Sequence, residues 1–275
     1  MISLSEEEIR EYTAIAREIR KKLLSAVYRS KSSHIGSSLS IVEILVALYF
    51  KYLRVSPGKP EDENRDRFIL SKGHSCPALY ATLACRGFFG HDVLSGFAVN
   101  GGTLEQHPNR DTRRGIEVST GSLGHGLPVG VGMALAAKYD KLDYRVFVLL
   151  GDGEMNEGSV WEAMMLASHH NLDNLIAIVD YNKIQALGRT SEVLNLEPLA
   201  DKWRSFGWST EEVDGHDLRQ IMNALEGIPF ERGKPSVIVA HTVKGKGVSF
   251  MEDKLLWHYK ILDQGEYAQA LQELS

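Results

Sequence analysis

The sequence predicts an α/β fold, namely a doubly wound, mostly parallel sheet with helices on both faces. Three near-continuous apolar runs, at residues 145–150, 175–179 and 236–240, have the pattern of strands that are buried on both faces. Segments with helical spacing separate these runs, and this alternation is typical of a parallel sheet. Because no linker is visible along the 275 residues, the chain is interpreted as one domain over residues 1–275.

The helices are predicted from capping signals and apolar periodicity. Ser5 and Glu8 have the spacing of a capping box, and the apolar residues that follow at helical intervals predict a long first helix. Ser40 and Glu43 repeat that spacing before residues 44–52, which predicts a second, buried helix. Further helices are predicted at residues 77–86, 127–138, 160–170, 199–206 and 218–227, and a short strand at residues 66–70.

Residues 87–122 show weak periodicity and are rich in Gly, Asn, Thr and Arg. A loop this long inside a compact domain is usually either functional or disordered. Its two histidines, His91 and His107, and its several glycines favour the functional interpretation.

The overall composition is that of an ordinary globular protein, with 43% hydrophobic and 24% charged residues. A net charge of −5 gives no support to nucleic-acid or membrane-surface binding. We also find no apolar run long enough to cross a bilayer. The acidic amino terminus is unlike a signal peptide, so cytoplasmic residence is expected. Two cysteines form no disulfide framework.

Polar residues follow two of the predicted strands where each strand ends. Asp152 and Gly153 come directly after the first of these strands, and Asn182 follows the next one. Two parallel strands joined by a helix place both side chains at the carboxyl edge of one sheet, where open α/β sheets bind ligands. Carboxylate and amide oxygens suit a hard cation such as Mg²⁺ or Ca²⁺. The pattern therefore predicts a metal-bridged phosphate site.

Several further motifs accompany this site in a fixed order. They lie at residues 31–36 (KSSHIG), 71–74 (SKGH), 105–108 (EQHP), 120–124 (TGSLG) and 257–258 (WH). Together with GDG and the asparagine thirty residues later, they resemble the amino-terminal, thiamine diphosphate-binding part of a transketolase. The resemblance covers essentially the whole chain. It implies the thiamine diphosphate-binding fold, with this chain forming the phosphate-binding domain.

The resemblance also implies how the cofactor is held. Asp152, the Asn182 side chain and the Ile184 carbonyl are expected to bind a divalent cation, Mg²⁺ or alternatively Ca²⁺ or Mn²⁺, which bridges the two phosphates. The cofactor itself is expected to contact the loop below it, the GDG glycine and residues near the diphosphate and the thiazolium ring. These residues are His74, Gly121, Ser122, Leu123, Gly153, Glu157, Asn182 and His258.

Four residues are expected to serve catalysis, again by resemblance. His34 and His107 are expected to contact substrate hydroxyls, and His258 to lie near the reacting thiazolium carbon. Histidine can donate or accept a proton near neutral pH, which suits chemistry on a polyhydroxylated substrate. Glu157 is expected to reach across the contact with a second chain, toward the glutamate that activates the cofactor in the other domain.

The resemblance implies a partner, since transketolases that work as one chain are considerably longer. A separate chain is expected to supply the pyrimidine-binding and carboxyl-terminal domains in an α2β2 assembly. The pair would transfer a two-carbon ketol unit from a ketose phosphate to an aldose phosphate. This chain alone is expected to be inactive. Neither nucleic acid nor membrane is expected as a partner.

Other functions remain open at this point. A deoxyxylulose-phosphate synthase fragment and the α subunit of a 2-oxo acid dehydrogenase carry a similar cofactor site, although the histidine motifs favour sugar chemistry. A non-catalytic partner subunit with a vestigial site is a further alternative. A dinucleotide-dependent oxidoreductase is disfavoured, because Val129 stands where the third glycine of G-x-G-x-x-G belongs.

Overall fold

The computed structural model describes residues 4–275, so the first three residues of the acidic amino terminus lie outside it. Five strands form one parallel sheet in the order β1-β2-β3-β5-β4. The strands are β1 (Arg67–Leu70), β2 (Val146–Gly151), β3 (Leu175–Tyr181), β4 (Ser209–Asp214) and β5 (Ser236–His241). The predicted α/β class with a mostly parallel sheet is confirmed.

Helices cover both faces of the sheet. The longer ones are α1 (Glu6–Ser30), α4 (Cys76–Arg86), α6 (Gly126–Tyr139), α7 (Gly158–His169), α9 (Leu199–Ser205), α10 (Leu218–Glu226) and α11 (Gln264–Glu273). The shorter ones are α2 (Ile35–Leu39), α3 (Val42–Ala47), which continues as a π-helical turn over Leu48–Tyr52, α5 (His91–Ser95) and α8 (Thr190–Val193). No helix in residues 4–275 is long and apolar enough to cross a membrane.

The two hydrophobic cores follow the alternation of side chains along the strands. In β2, Phe147 and Leu149 pack with α1, α3 and α4, whereas Val146, Val148 and Leu150 pack with α6 and α7. The near-continuous apolar runs in the sequence therefore reflect a sheet that is covered on both sides.

The first capping box is confirmed, because the Ser5 hydroxyl accepts from the Glu8 backbone and Glu8 accepts from the Ser5 backbone. The second prediction is wrong. Helix α3 begins at Val42 without a side-chain cap, and Ser40 instead donates to a buried carboxylate on β3. Glu43 forms an ion pair with Arg20 on α1. Tertiary contacts thus use both side chains that the local pattern assigned to a cap.

Strand β4 is absent from the sequence prediction, because its residues STEEVD carry almost no apolar signal. It lies at the edge of the sheet and pairs only with β5. Most of its side chains face solvent or half-buried surroundings, so polar residues are tolerated there.

The long segment at residues 87–122 contains α5 and one 3₁₀ turn, Thr112–Arg114, and is otherwise irregular. Its second half returns to the carboxyl edge of the sheet. There Cys76 and Tyr80 of α4 donate hydrogen bonds to the backbone carbonyls of Gln106 and Glu105, at 3.0 and 3.1 Å. These contacts hold the segment that carries His107.

Candidate functional site

A cavity of about 330 Å³ opens at the carboxyl edge of the sheet, where β1, β2, β3 and β5 end. The structure brings most of the predicted site residues together around it, although they come from separate segments of the chain. These residues are His34, His74, His107, Gly121, Leu123, Asp152, Gly153, Asn182, Ile184 and His258. Ser122 and Glu157 are exposed and do not line this cavity.

Three oxygen-bearing groups meet at the floor of the cavity. Asp152 begins a 3₁₀ turn after β2, and its carboxylate accepts from the backbone N–H groups of Gly153 and Lys183. The Asn182 side-chain oxygen accepts from the Ile184 N–H at 3.1 Å. These bonds tie the ends of β2 and β3 to each other, so the three predicted metal ligands lie on one rigid floor.

A buried ion pair lies beneath this floor and was not predicted from the sequence. The Asp180 carboxylate at the end of β3 pairs with the Lys72 ammonium and also accepts from Ser40, Asn182 and Thr242. Burial alone would raise the pKa of Asp180, but the Lys72 charge and these hydrogen bonds lower it. The Asp180 carboxylate therefore stays ionised and fixes the amide of Asn182.

Lys244 is a second site residue that was not predicted from the sequence. It follows β5, and its Nζ donates to the Ile184 carbonyl oxygen at 3.0 Å inside the cavity. Burial and the nearby Lys72 charge lower its pKa to about 8, so the ammonium stays mostly protonated at neutral pH. The cavity thus holds a fixed positive charge beside the predicted metal ligands.

Three histidine rings form a cluster on the wall of the cavity. The ring centroid of His34 lies 5.2 Å from those of both His74 and His258, and the latter two are 5.6 Å apart. Burial, together with neighbouring positive charge, lowers the pKa of His34 to about 4 and that of His258 to about 3. The same causes lower the pKa of His74. At neutral pH all three rings are therefore uncharged and each keeps one donor and one acceptor.

The backbone of His34 adopts a left-handed conformation, with φ of 67°. This conformation is uncommon outside glycine and is held by the surrounding structure. The His34 N–H donates to the His258 carbonyl oxygen at 3.0 Å. The segments that carry these two histidines are therefore joined by the backbone as well as through their rings.

The predicted loop at residues 120–124 lies against the same wall. A Cβ added to Gly121 would lie 3.3 Å from the His107 ring, and one added to Gly73 would lie 2.8 Å from the backbone of Thr120. The close approach of these segments explains why both positions carry glycine.

Two glutamates after β2 differ sharply in position. Glu154 is buried in the cavity and accepts from the N–H groups of Gly124 and Gly151, at 2.9 and 3.0 Å. Glu157 is exposed at the start of α7, outside the cavity wall. Glu154, which was not singled out in the sequence, is therefore the glutamate that shapes this site.

Tyr259 follows His258 and stands at the mouth of the cavity with 59% of its surface exposed. Its φ is −121°, so the chain passes this position without backbone strain. The Tyr259 ring lies 4.6 Å from the His258 ring and 5.7 Å from the His34 ring. The tyrosine therefore forms part of the wall beside the histidine cluster.

The residues that were not predicted differ in whether the sequence carried a signal for them. Lys72 lies inside the SKGH segment that was already singled out, and Asp180 opens the DYN run at the end of β3. Both could have been proposed from position alone. Lys244 lies in a lysine- and glycine-rich stretch without a recognised motif, so only the fold brings it to the site.

Comparisons with known proteins agree with this site. The family profile described as transketolase, thiamine diphosphate binding domain matches residues 12–275. One named subunit of the apulose-4-phosphate transketolase of Phocaeicola vulgatus is 46% identical, over 93% of this chain and 91% of that protein. The 6-deoxy-6-sulfo-D-fructose transketolase subunit SqwG of a Clostridium species is 45% identical, over 94% of both chains.

Solved structures give the same result. A transketolase from Leishmania mexicana matches with a TM-score of 0.88 and 31% identity, and one from Campylobacter jejuni with a TM-score of 0.89 and 30% identity. Each match covers 96% of this chain but only 41% and 43% of those longer chains. With its fold, its cavity and these relatives in agreement, the chain belongs to the transketolase family and corresponds to its thiamine diphosphate-binding part.

Proposed function

We propose that this chain is the cofactor-binding subunit of a two-chain transketolase. The complete enzyme would transfer a two-carbon ketol unit from a ketose phosphate to an aldose phosphate, using thiamine diphosphate and a divalent cation. The observation that carries this proposal is the meeting of Asp152, Asn182 and Ile184 on one cavity floor beside the uncharged cluster of His34, His74 and His258.

The donor set fits a hard divalent cation. One carboxylate, one amide and one backbone carbonyl supply only oxygen, which suits Mg²⁺, Ca²⁺ or Mn²⁺. Residues 4–275 contain no group of three His, Cys, Asp or Glu side chains that could hold a metal by itself. A cation at this floor therefore needs further anionic oxygens, and a diphosphate would provide them.

The charge of Asp152 points in the same direction. Burial and the neighbouring Asp180 carboxylate raise the pKa of Asp152 to about 7. A carboxylate in this position gains from a nearby cation, which would favour its ionised form. Lys244 already supplies one positive charge at the Ile184 carbonyl and would complement the negative diphosphate.

When bound, thiamine diphosphate would act as the electron sink that allows the C2–C3 bond of the donor to break. This chain would bind and orient the substrate. Uncharged His34 and His258 can each donate and accept a hydrogen bond beside the reacting atoms, and His107 lines the cavity next to Gly121. His107 and His34 are proposed to contact the substrate hydroxyls.

The partner is proposed from the relatives and from the exposed residues. Relatives in Phocaeicola vulgatus and Actinobacillus succinogenes are each named as one subunit of an apulose-4-phosphate transketolase. We propose that a second chain supplies the pyrimidine-binding and carboxyl-terminal domains in an α2β2 assembly. Glu157 and Ser122, which are exposed beside the cavity, would meet the cofactor and the partner only in that assembly.

Reconstitution tests this function. The chain, a candidate partner, thiamine diphosphate and Mg²⁺ are combined, and ketol transfer is assayed with each component omitted in turn. Activity should require both chains. Full activity of the isolated chain would contradict the split arrangement. Pyruvate-dependent product without ketol transfer would instead indicate a synthase or dehydrogenase.

Calorimetry tests the cation floor separately. Asp152→Ala should abolish Mg²⁺-dependent binding of thiamine diphosphate, because the cation loses its carboxylate ligand. Asp201→Ala is the matched control, since Asp201 forms an exposed pair with Arg204 on α9. Unchanged affinity in Asp152→Ala would remove its role as a ligand.

A further inference from the structure

A buried charged network lies outside the cavity, on the side of the sheet covered by α1 and α3. The Arg20 guanidinium forms two hydrogen bonds to the Glu43 carboxylate, at 2.6 and 2.8 Å. His216, from the loop between β4 and α10, approaches the same carboxylate with its Nδ1 at 3.0 Å. The three side chains are only 7% to 11% exposed. We refer to Arg20, Glu43 and His216 as the triad.

Backbone geometry fixes the tautomer of His216. The Val243 N–H donates to Nε2 of His216 at 2.8 Å, so this nitrogen is an acceptor without a proton. The proton is then on Nδ1, where it is donated to Glu43. Although burial alone would raise the pKa of Glu43, Arg20 and His216 lower it to about 2, so Glu43 stays ionised and accepts these bonds.

The triad reaches the loop after β5 at two points. One is the Val243 N–H, which binds His216. The other is the Lys246 carbonyl oxygen, which accepts from Arg20 Nε at 3.1 Å. Lys244 lies between these two points, and its ammonium enters the cavity to meet the Ile184 carbonyl and the His258 ring.

We propose that the triad is a positioning device for Lys244, in which His216 holds the Val243 backbone so that the Lys244 ammonium stays directed at the cofactor floor. The link to the cofactor rests on the proposed function. His216 contacts none of the proposed cation ligands through the hydrogen bonds described, so it acts through the loop. It is therefore a positioning residue and not a catalytic one.

Two substitutions separate this role from simple burial. His216→Gln places an amide oxygen near the position of Nε2 and keeps an acceptor for the Val243 N–H. His216→Asn places its amide near Nδ1, so it keeps a donor for Glu43 but removes the acceptor. If the triad positions the loop, His216→Gln should resemble the wild type and His216→Asn should not.

The first measurement is amide hydrogen exchange in the full-length chain, which needs no cofactor. Exchange at Val243 should be faster in His216→Asn than in the wild type, and close to wild type in His216→Gln. The second is calorimetric affinity for thiamine diphosphate with Mg²⁺, which should fall about tenfold in His216→Asn alone. In the reconstituted enzyme, the apparent KM for the cofactor should rise while kcat at saturation changes little.

The outcomes are distinguishable. Unchanged Val243 exchange in His216→Asn, or equal loss of cofactor affinity in both variants, would overturn the inference. Failure of the wild-type chain to bind thiamine diphosphate at all would overturn the proposed function and the link to the cofactor. In that case the exchange comparison alone would still decide whether His216 holds the loop.

Discussion

The Nζ of Lys244 lies 3.0 Å from Nδ1 of His258 inside the cavity. An ammonium group can only donate, so Nδ1 of His258 accepts and its ring proton is on Nε2. One lysine therefore sets the tautomer of a cavity histidine while its same ammonium contacts the Ile184 carbonyl. This pair connects the proposed cation floor to the proposed substrate wall.

We expect Lys244→Met to weaken Mg²⁺-dependent binding of thiamine diphosphate by about 10- to 100-fold, the usual cost of losing a group that supports a metal ligand. The pKa of His258 should also rise, because burial and the Lys244 charge are the first two causes of its low value. Calorimetry measures the affinity, and NMR titration of the ring measures the pKa.

Lys246→Met is the control for that experiment. Lys246 lies two residues further along the same loop, is partly exposed and pairs with Glu252 at 3.5 Å. It should change neither quantity. If both lysine variants behave alike, the effect of Lys244→Met comes from loop charge in general and not from the contacts with Ile184 and His258.

Asp180→Asn should destabilise the chain by about 3–5 kcal/mol, because the buried Lys72 ammonium loses its counter-charge. The amide fits the space, but all four groups around the Asp180 carboxylate donate to it in the structure. Its new NH₂ group would therefore face at least one other donor. Urea unfolding of the chain measures the loss.

The matched change Asp201→Asn removes an exposed ion pair with Arg204 on α9. It should alter the free energy of unfolding by no more than about 0.5 kcal/mol. A similar small effect for Asp180→Asn would mean that Lys72 finds another partner, and the ion pair would then have no special weight in the fold.

The stability of the chain should fall as the pH drops below about 6.5. The pKa of His34 is about 4 in the folded chain and 6.5 when unperturbed. Between these values the unfolded chain binds a proton that the folded chain does not, so acidification favours unfolding; above them this contribution is absent. His74 and His258, whose pKa values are also lowered, act in the same direction.

His34→Gln tests that contribution, because glutamine keeps hydrogen-bonding groups but cannot titrate. The difference in the free energy of unfolding between about pH 7.5 and about pH 5 should be smaller in this variant than in the wild type. His170→Gln, which changes an exposed histidine at the end of α7, should leave the difference unchanged. An equal pH dependence in all three proteins would mean that His34 titrates normally.

The parts of the molecule that the sequence predicted are those in which local pattern and tertiary role coincide. The buried strands are apolar along their whole length, so β2, β3 and β5 were predicted close to their observed bounds. Asp152 and Asn182 could be placed at one edge, because parallel strands end on the same side of a sheet.

The features that were not predicted depend on contacts between distant segments. Ser40 has the local spacing of a cap, yet its hydroxyl donates to a carboxylate 140 residues away. The edge strand β4 needs little apolar surface, so its polar residues gave no periodicity to detect. Lys244 acquires its role only because the loop after β5 folds over the end of β3. Such contacts leave no trace in local composition.

Gly73→Ala should impair the cofactor loop at residues 120–124. A Cβ at position 73 would lie 2.8 Å from the backbone carbon of Thr120 and 2.9 Å from the backbone nitrogen of Gly121, and backbone atoms cannot rotate away. The loop must shift, so the affinity for thiamine diphosphate should fall by about tenfold or more, since small misplacements at such sites are costly.

Gly132→Ala is the matched change, because a Cβ at position 132 in α6 meets no atom within 4 Å in the structure. This substitution should stabilise the isolated chain by about 0.5–1 kcal/mol, as alanine loses less backbone entropy than glycine in a helix, and it should leave cofactor affinity unchanged. Calorimetry and urea unfolding of both variants provide the comparison. If Gly73→Ala binds thiamine diphosphate as tightly as Gly132→Ala does, the contact between Gly73 and Thr120 does not position the loop, and the cofactor must be held by the cation floor alone.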